Sequence, residues 1–358
     1  MKVLHIYPKN DNMIAQHVSI LTKGMQHSAD VQATDSLTDF KARLQDAPPD
    51  IVHCHGCWHY AVISAAAMAS KRGVRIVISP HGQLEPWVTE EKSPQEKLQK
   101  ILMRQRNTIS SAYALIAFGR MEQRYLKQLK WNPRIEVIHN ALITNSISPQ
   151  EMCSQTFSVY QKVLDSNPLE QMNDSTRQLL ATIIKAGIKG DTRWVTMPSV
   201  VEADTDWRRL LLYAEHQNIK NYVDYGINVL GLHVPGLDTA HIPVYYPDGY
   251  KQARQMKSIV GEYEGDETSY LLKIIQQIER RPVLLHLIEL TRELYRDSVN
   301  DDQLQERLQE KKLQKFASRL MQILSEQALL EEGFMPLPPT NDRGTQKIRD
   351  IITNDLKI

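Results

Sequence analysis

"VRIVISPHGQLEPW", Val74 to Trp87, is the stretch on which the fold of this 358-residue chain turns. Val74 to Ile78 is a short run rich in β-branched residues, the pattern of a strand buried on both faces. It breaks into Ser79-Pro80-His81-Gly82, with Glu85 and Trp87 close behind. A core strand that ends on a histidine, a carboxylate and an indole has reached an edge where such groups can meet a ligand. Gly82 suits a turn with φ > 0 and a close backbone approach. His81 can hydrogen-bond a hydroxyl or phosphate and change charge near neutrality. The plainer alternative is a turn with His81 satisfied by a backbone carbonyl, and position alone leaves both open.

Outward from this stretch, similar runs recur at Val3–Tyr7, Val31–Thr34, Ile51–Cys54, Ile76–Ser79, Ala114–Ala117 and Ile135–Ile138. Amphipathic segments near 13–26, 37–46, 59–71, 95–110 and 120–129 separate them. Short apolar strands alternating with helices predict a doubly wound α/β domain with a parallel, Rossmann-like sheet. Right-handed crossovers then bring every strand's C-terminal end to one edge, where ligands bind in such folds. The residues past the strands are Pro8–Asn12, His55–Trp58, Pro80–Gly82, Phe118–Arg120 and His139–Asn140.

After about residue 150 the strand signals fade. Leu180, Ile183, Ile184 and Ile188 share one helical face, as do Leu271, Ile274, Ile275 and Ile278. Leu313, Phe316, Leu320, Ile323 and Leu324 predict one long helix over 302–332, capped by Asp301 or Asp302. A last helix is expected over 344–356, with irregular connections at 232–250 and 335–342. The expected organisation is residues 1–148 as the sheet domain and 149–358 as a mostly α-helical domain.

The composition, 42% hydrophobic and 24% charged, is that of a globular protein. No window is apolar enough for a membrane span, the N-terminus lacks signal-peptide form, and three cysteines build no disulfide framework. These features predict a cytoplasmic protein. Residues 1–148 hold 18 Lys/Arg against 12 Asp/Glu, and the remainder 25 against 30. A basic first half suits an anionic ligand or membrane surface, or is ordinary surface charge. No basic stripe is interleaved with aromatics, so nucleic acid is not expected as a partner.

Three motifs of the first half resemble the amino-terminal domain of glycosyltransferase family 4, whose two-Rossmann architecture is called GT-B. They are "DIVHCHG" (Asp50–Gly56), "SPHGQLEPW" (Ser79–Trp87) and "VIHNAL" (Val137–Leu142), and the resemblance covers about residues 1–145. It implies transfer of a sugar from a nucleotide-sugar donor to a hydroxyl acceptor, a glycan or lipid-linked molecule, without a metal or other cofactor. It implies that His81 faces the reacting centre, that Gly82 allows close approach, and that His55, Gly56 and Trp58 line the acceptor side. Asn140 would stand at the mouth of the cleft, and Arg120 near phosphate. The setting it implies is surface glycan assembly.

The chain departs from that family in several places, among them Asn140-Ala141 where the family closes on Asn-Gly and the lack of a Gly-rich donor loop followed by Arg and Lys. The loop after the first strand, "PKNDNM" (Pro8–Met13), has no glycine, so side chains block phosphate approach there. The family's donor half carries two glutamates separated by seven residues, and no glutamate here has another eight positions on. Two readings therefore stay open. One is an active glycosyltransferase with a divergent donor half. The other is an inactive, glycosyltransferase-derived binding or scaffold protein whose helical half meets a protein partner.

Other constellations read more plainly. "HCHGCWH" (53–59) gathers His53, Cys54, His55, Cys57 and His59. A strand sends alternate side chains to opposite faces, so these five do not converge and no metal is expected. Cys57 reads as a structural thiol, with a nucleophile beside His55 or His59 as the other reading. Glu85 could serve as a base, bind a sugar hydroxyl, or cap local backbone. Asp206 caps a helix that buries Trp207. Tyr245, Tyr246 and Tyr250 surround a turn. Lys92, Lys97, Lys100, Arg104 and Arg106 form either a solvated helix face or a peripheral membrane contact.

Overall fold

The computed structural model describes residues 1–90, 95, 105–193, 195, 205–245, 258–259, 265–296 and 300–352. The chain divides into two compact units, Met1–Leu164 and Asp165–Ile358.

The first unit is built on a six-stranded, wholly parallel sheet in the order β2-β1-β3-β4-β5-β6. Its strands are β1 Lys2–Ile6, β2 Asp30–Thr34, β3 Ile51–His55, β4 Arg75–Ser79, β5 Ala114–Ala117 and β6 Ile135–Val137. Between them run α1 Asn12–Met25, α2 Leu37–Asp46, α3 Tyr60–Lys71, α4 Pro86–Glu90, α5 Gln105–Ser111 and α6 Arg120–Leu129. Strands β3, β4 and β5 are buried along their whole length, as their unbroken apolar runs require. The sheet expected from the sequence is thus the sheet that forms. Residues 91–94 and, of the segment expected to be helical near 95–110, residues 96–104 lie outside the described residues. Lys92, Lys97, Lys100 and Arg104 fall there, while Arg106 is exposed.

Helix α7, Pro149–Asp165, follows the sheet and belongs to it almost entirely. The Tyr160 hydroxyl meets His53, Lys162 donates to Glu136 across 2.7 Å, and Cys153 approaches the Ile20 carbonyl of α1. Those contacts divide the chain after Leu164, where the sequence pattern set the division after residue 148.

Among its described residues the second unit has helices and connecting loops and no strand. It comprises α8 Pro168–Gln171, α9 Asp174–Lys189, α10 Trp207–His216, α11 Lys220–Leu230, α12 Glu267–Arg280, α13 Leu284–Leu294, α14 Asp301–Glu310, α15 Gln314–Ala328 and α16 Arg343–Ile351. One core cluster joins α9, α10, α11 and the start of α13, and a second joins α12 to α16. Helix α13 takes part in both and is buried on nearly every side. Its polar residues His286, Glu289, Thr291 and Glu293 are buried along with its leucines, so the sequence pattern does not show that this helix is central. Asp206 caps α10 by accepting from Arg209 N, and Trp207 is buried as expected.

The long helix expected over 302–332 is two helices. Lys312 takes the left-handed conformation (φ 60°) between α14 and α15, and Leu313 N donates to Leu308 O. No glycine or proline marks this break, so the sequence conceals it. The cap of α14 is Asn300, which accepts from Gln303 N, and Asp301 and Asp302 occupy the first turn. The final helix ends at Ile351, and residues 353–358 lie outside the described residues.

Helices α9 and α11 cross with Gly187 and Gly226 facing the opposite backbone. A methyl group at Gly226 would overlap the Ile183 carbonyl, and one at Gly187 the Tyr222 carbonyl. Glycine to alanine in a helix ordinarily stabilises by about 1 kcal/mol. At this crossing overpacking reverses the sign. Gly226→Ala is expected to destabilise the second unit by about 1–3 kcal/mol, read as a lowered midpoint in chemical denaturation. A raised midpoint would contradict the crossing.

Candidate functional site

The site starts from strand alternation. In-register pairing sets His5 of β1 beside His53 of β3, and His55 beside Ser79 of β4. His5, His53 and His55 therefore project to one face of the sheet, while Leu4, Ile6, Val52, Cys54, Ile76 and Ile78 enter the apolar core of the other. Helix α1 brings His17 to the imidazole face, α7 brings Tyr160, and the β4 turn brings His81. Five imidazoles thus meet beneath the C-terminal edge.

Their contacts are specific. His53 Nδ1 lies 2.6 Å from the Tyr160 hydroxyl and its Nε2 lies 2.8 Å from Ser79 Oγ. A neutral imidazole offers one donor and one acceptor, and two rotatable hydroxyls can answer both. His5 Nδ1 lies 2.8 Å from His55 Nε2, and His55 Nδ1 lies 3.1 Å from His81 Nε2. His17 Nδ1 faces Asn140 Oδ1 at 3.2 Å, and Asn140 Oδ1 also accepts from Leu142 N.

The turn after β4 is strained and stitched from both sides. His81 and Gly82 both take positive φ, 56° and 72°. For a non-glycine residue such a conformation costs on the order of 1–2 kcal/mol. Gly82 N and Phe118 N each donate to the buried Glu122 carboxylate across 2.7 Å. Gln83 Oε1 accepts from Cys57 N and Trp58 N, and Trp58 Nε1 donates to Gln83 O at 2.6 Å. These bonds hold the β3, β4 and β5 loops as one edge.

A cavity of about 420 Å³ opens at that edge. Asp11, His81, Glu85, Glu122 and Asn140 supply its polar lining, and the exposed side chains of Met13, Met121 and Ile143 its apolar border. Among the described lining residues there is no lysine or arginine. Asp11 also caps α1 by accepting from Ile14 N, so a carboxylate occupies the helix end that a phosphate would need.

Burial makes the imidazole cluster neutral. It pushes His5 down to about 3, helped by His17, and His17 down to about 4, opposed by its bond to Asn140. His53, His55 and His81 are held well below the ordinary imidazole value by burial first and neighbouring imidazoles second. Burial raises the Glu85 carboxyl, and the Glu122 charge raises it further. Burial raises Glu122 too, against the pull of the Phe118 and Gly82 amides.

Of the residues singled out in the sequence, His81, Gly82, Glu85 and Asn140 line the cavity. His55 lies behind His81 with no exposed surface. Gly56 (φ 82°) turns the chain against Gln83, and Trp58 spends its indole N–H on the same residue, so neither is a lining residue. Arg120 is exposed at the start of α6, outside the lining. The alternative in which a backbone carbonyl satisfies His81 gives way to the contact with His55. Cys57 is fully buried in the apolar core, as a structural thiol would be. All three cysteines are free. Tyr246 and Tyr250 lie outside the described residues, and Tyr245 N donates to Ser166 Oγ.

Sequence reasoning missed His5, His17, Glu122 and Tyr160. Glu122 stands three residues after Gly119 in the first turn of α6, a spacing that could have marked it. His5 could have been found by laying β1 beside β3, which centres one histidine on each strand. Nothing local marks His17 or Tyr160.

A doubly wound sheet with its cavity at the C-terminal edge defines a Rossmann-like ligand-binding domain. Residues 19–141 match the family described as glycosyl transferase 4-like domain. The amino-terminal unit is accordingly a glycosyltransferase family 4-like domain, followed by a helical region. No curated protein matches the chain. No helix among the described residues is long and apolar enough to cross a membrane.

The neutral imidazoles make stability depend on pH. Unfolded histidines protonate near pH 6.5, whereas His17 waits until about 4 and His5 until about 3. Between those values the unfolded chain binds more protons, so stability is full above about pH 6.5 and falls with pH. Each such imidazole contributes a slope of up to about 1.4 kcal/mol per pH unit. Urea denaturation of the sheet domain at pH 7.5, 6 and 5 is expected to show a midpoint falling steeply across the series. A midpoint that stays level to pH 5 would contradict the buried neutral cluster.

Proposed function

We propose that this protein transfers a sugar from a nucleotide-sugar to a hydroxyl acceptor, and that the cavity beside His81 holds the sugar and hydroxyl side of the reaction. The observation that carries this reading is the cavity's place and lining. It lies at the ligand edge of a glycosyltransferase 4-like sheet and offers His81, Glu85, Asp11 and Asn140 without a described cation. Carboxylates, a neutral imidazole and an amide hydrogen-bond hydroxyls well. A diphosphate would meet repulsion there, so the donor's phosphates bind elsewhere. In this proposal His81 orients the sugar or the attacking hydroxyl. Glu85, whose carboxyl is held above the usual carboxylate range, takes the hydroxyl proton.

A setting in cytoplasmic assembly of a surface glycan extends the proposal and rests on the family resemblance. So do a lipid-linked acceptor met at the membrane surface and a protein partner on the helical half. The second reading, a binding or scaffold protein without turnover, draws on two observations. Among the described residues the second unit has no strand, and the chain has no glutamate pair at the donor spacing.

Thermal shift with UDP-, GDP- and ADP-sugars separates the two. A donor at a hundred times its dissociation constant stabilises by about 2.7 kcal/mol. A shift with one donor is expected, with turnover falling about 100-fold or more in His81→Ala and in Glu85→Gln. No shift with any donor would favour the binding protein, and turnover surviving His81→Ala would remove His81 from the chemistry.

A further inference from the structure

The imidazole cluster contains one trio with the geometry of a metal site. His17, His55 and His81 each place one ring nitrogen within 4.8 Å of the other two. Their ring centroids form a nearly equilateral triangle with sides of 5.7, 5.4 and 5.4 Å. Three imidazoles bound to one tetrahedral ion at about 2.0–2.1 Å would set their centroids about 5.2 Å apart and their ligating nitrogens about 3.3 Å apart. His55 Nδ1 and His81 Nε2 are already 3.1 Å apart.

The outer contacts can orient two of the ligands by accepting the ring N–H that faces away from the ion, as outer partners of ligating histidines do. His55 is held from behind by His5, whose Nδ1 lies 2.8 Å from His55 Nε2, and His17 is held by Asn140 Oδ1. With its Nε2 turned to His5, His55 presents Nδ1 to the trio. A second trio, His5, His53 and His55, is equally close but poorly suited. Both His53 nitrogens are engaged, with Tyr160 and Ser79, and ligation would break one of those bonds. The surroundings favour a cation at the first trio. His81 borders a cavity lined by Asp11, Glu85 and Glu122, with no described lysine or arginine.

The geometry points to a binding site for a divalent transition-metal ion of the zinc class, ligated by His17, His55 and His81. Three protein ligands leave a fourth position for water or a hydroxyl entering from the cavity. The absence of a metal expected from "HCHGCWH" rested on residues of one strand; this trio takes only His55 from that run and draws the others from α1 and the β4 turn. The site shares His81 with the proposed transferase cavity, but the observations that carry it do not depend on that activity.

The test uses the full chain, purified without a polyhistidine tag and loaded with CoCl2, then ZnCl2. Expected are one ion per chain by elemental analysis and the intense visible absorption of four-coordinate cobalt. X-ray absorption of the zinc form should count three imidazoles per ion. His17→Gln and His81→Gln, checked for folding by circular dichroism, should each lower affinity at least 100-fold, while His27→Gln on an exposed turn should not. Failure of the wild type to retain a stoichiometric ion overturns the site, as does an ion bound through fewer than three imidazoles. Retention unchanged in both folded variants overturns it too. Because metal content is read without turnover, a chain that transfers sugar but holds no ion removes only this inference.

Discussion

The parallel, in-register pairing of β1, β3 and β4 is the constraint on which the rest depends. It sets His5 against His53 and His55 against Ser79, and pleating turns all three imidazoles to one face. The other face is then free to be wholly apolar, closed by α2, α3 and α5. A one-residue slip of β3 would exchange His53 and His55 for Val52 and Cys54, placing polar groups in the apolar layer and apolar groups over the cavity. Register is therefore strongly specified.

An interior polar face requires partners, because a buried polar group without one costs on the order of 1–3 kcal/mol. Tyr160, Ser79 and Asn140 answer that need from α7, β4 and the loop after β6. The hydrogen-bonded imidazoles lead outward from His5 through His55 to His81. His81 carries this chain to the cavity at the cost of a left-handed backbone. The amides of Gly82 and Phe118, held by one buried carboxylate, keep that turn in place. Strain at a binding edge, held by surrounding hydrogen bonds, is common at functional sites.

Much of the first unit was legible because its signals are local. Runs of β-branched residues mark strands, and each expected strand lies within about two residues of the observed one at either end. The ligand edge followed from topology, so His81, Gly82, Glu85 and Asn140 could be named before their geometry was known. Glu122 was obscured because a glutamate in a first helical turn reads as surface charge, and here it is buried. The central α13 and the break at Lys312 escaped for a related reason: buried His286, Glu289 and Glu293 read as surface residues, and a left-handed lysine carries no sequence mark.

By itself the sequence determined the parallel sheet, the edge where His81 emerges, the helical character of the second half and the lack of a donor glutamate pair. These depend on spacing along the chain, which local sterics and alternation read directly. Only the tertiary structure decided that His5 and His17 join His55 and His81, that Trp58 and Gly56 face Gln83 rather than the cavity, and that Arg120 stands apart from it. Those outcomes depend on which strands are neighbours and how helices roll against them, and such contacts join residues dozens of positions apart.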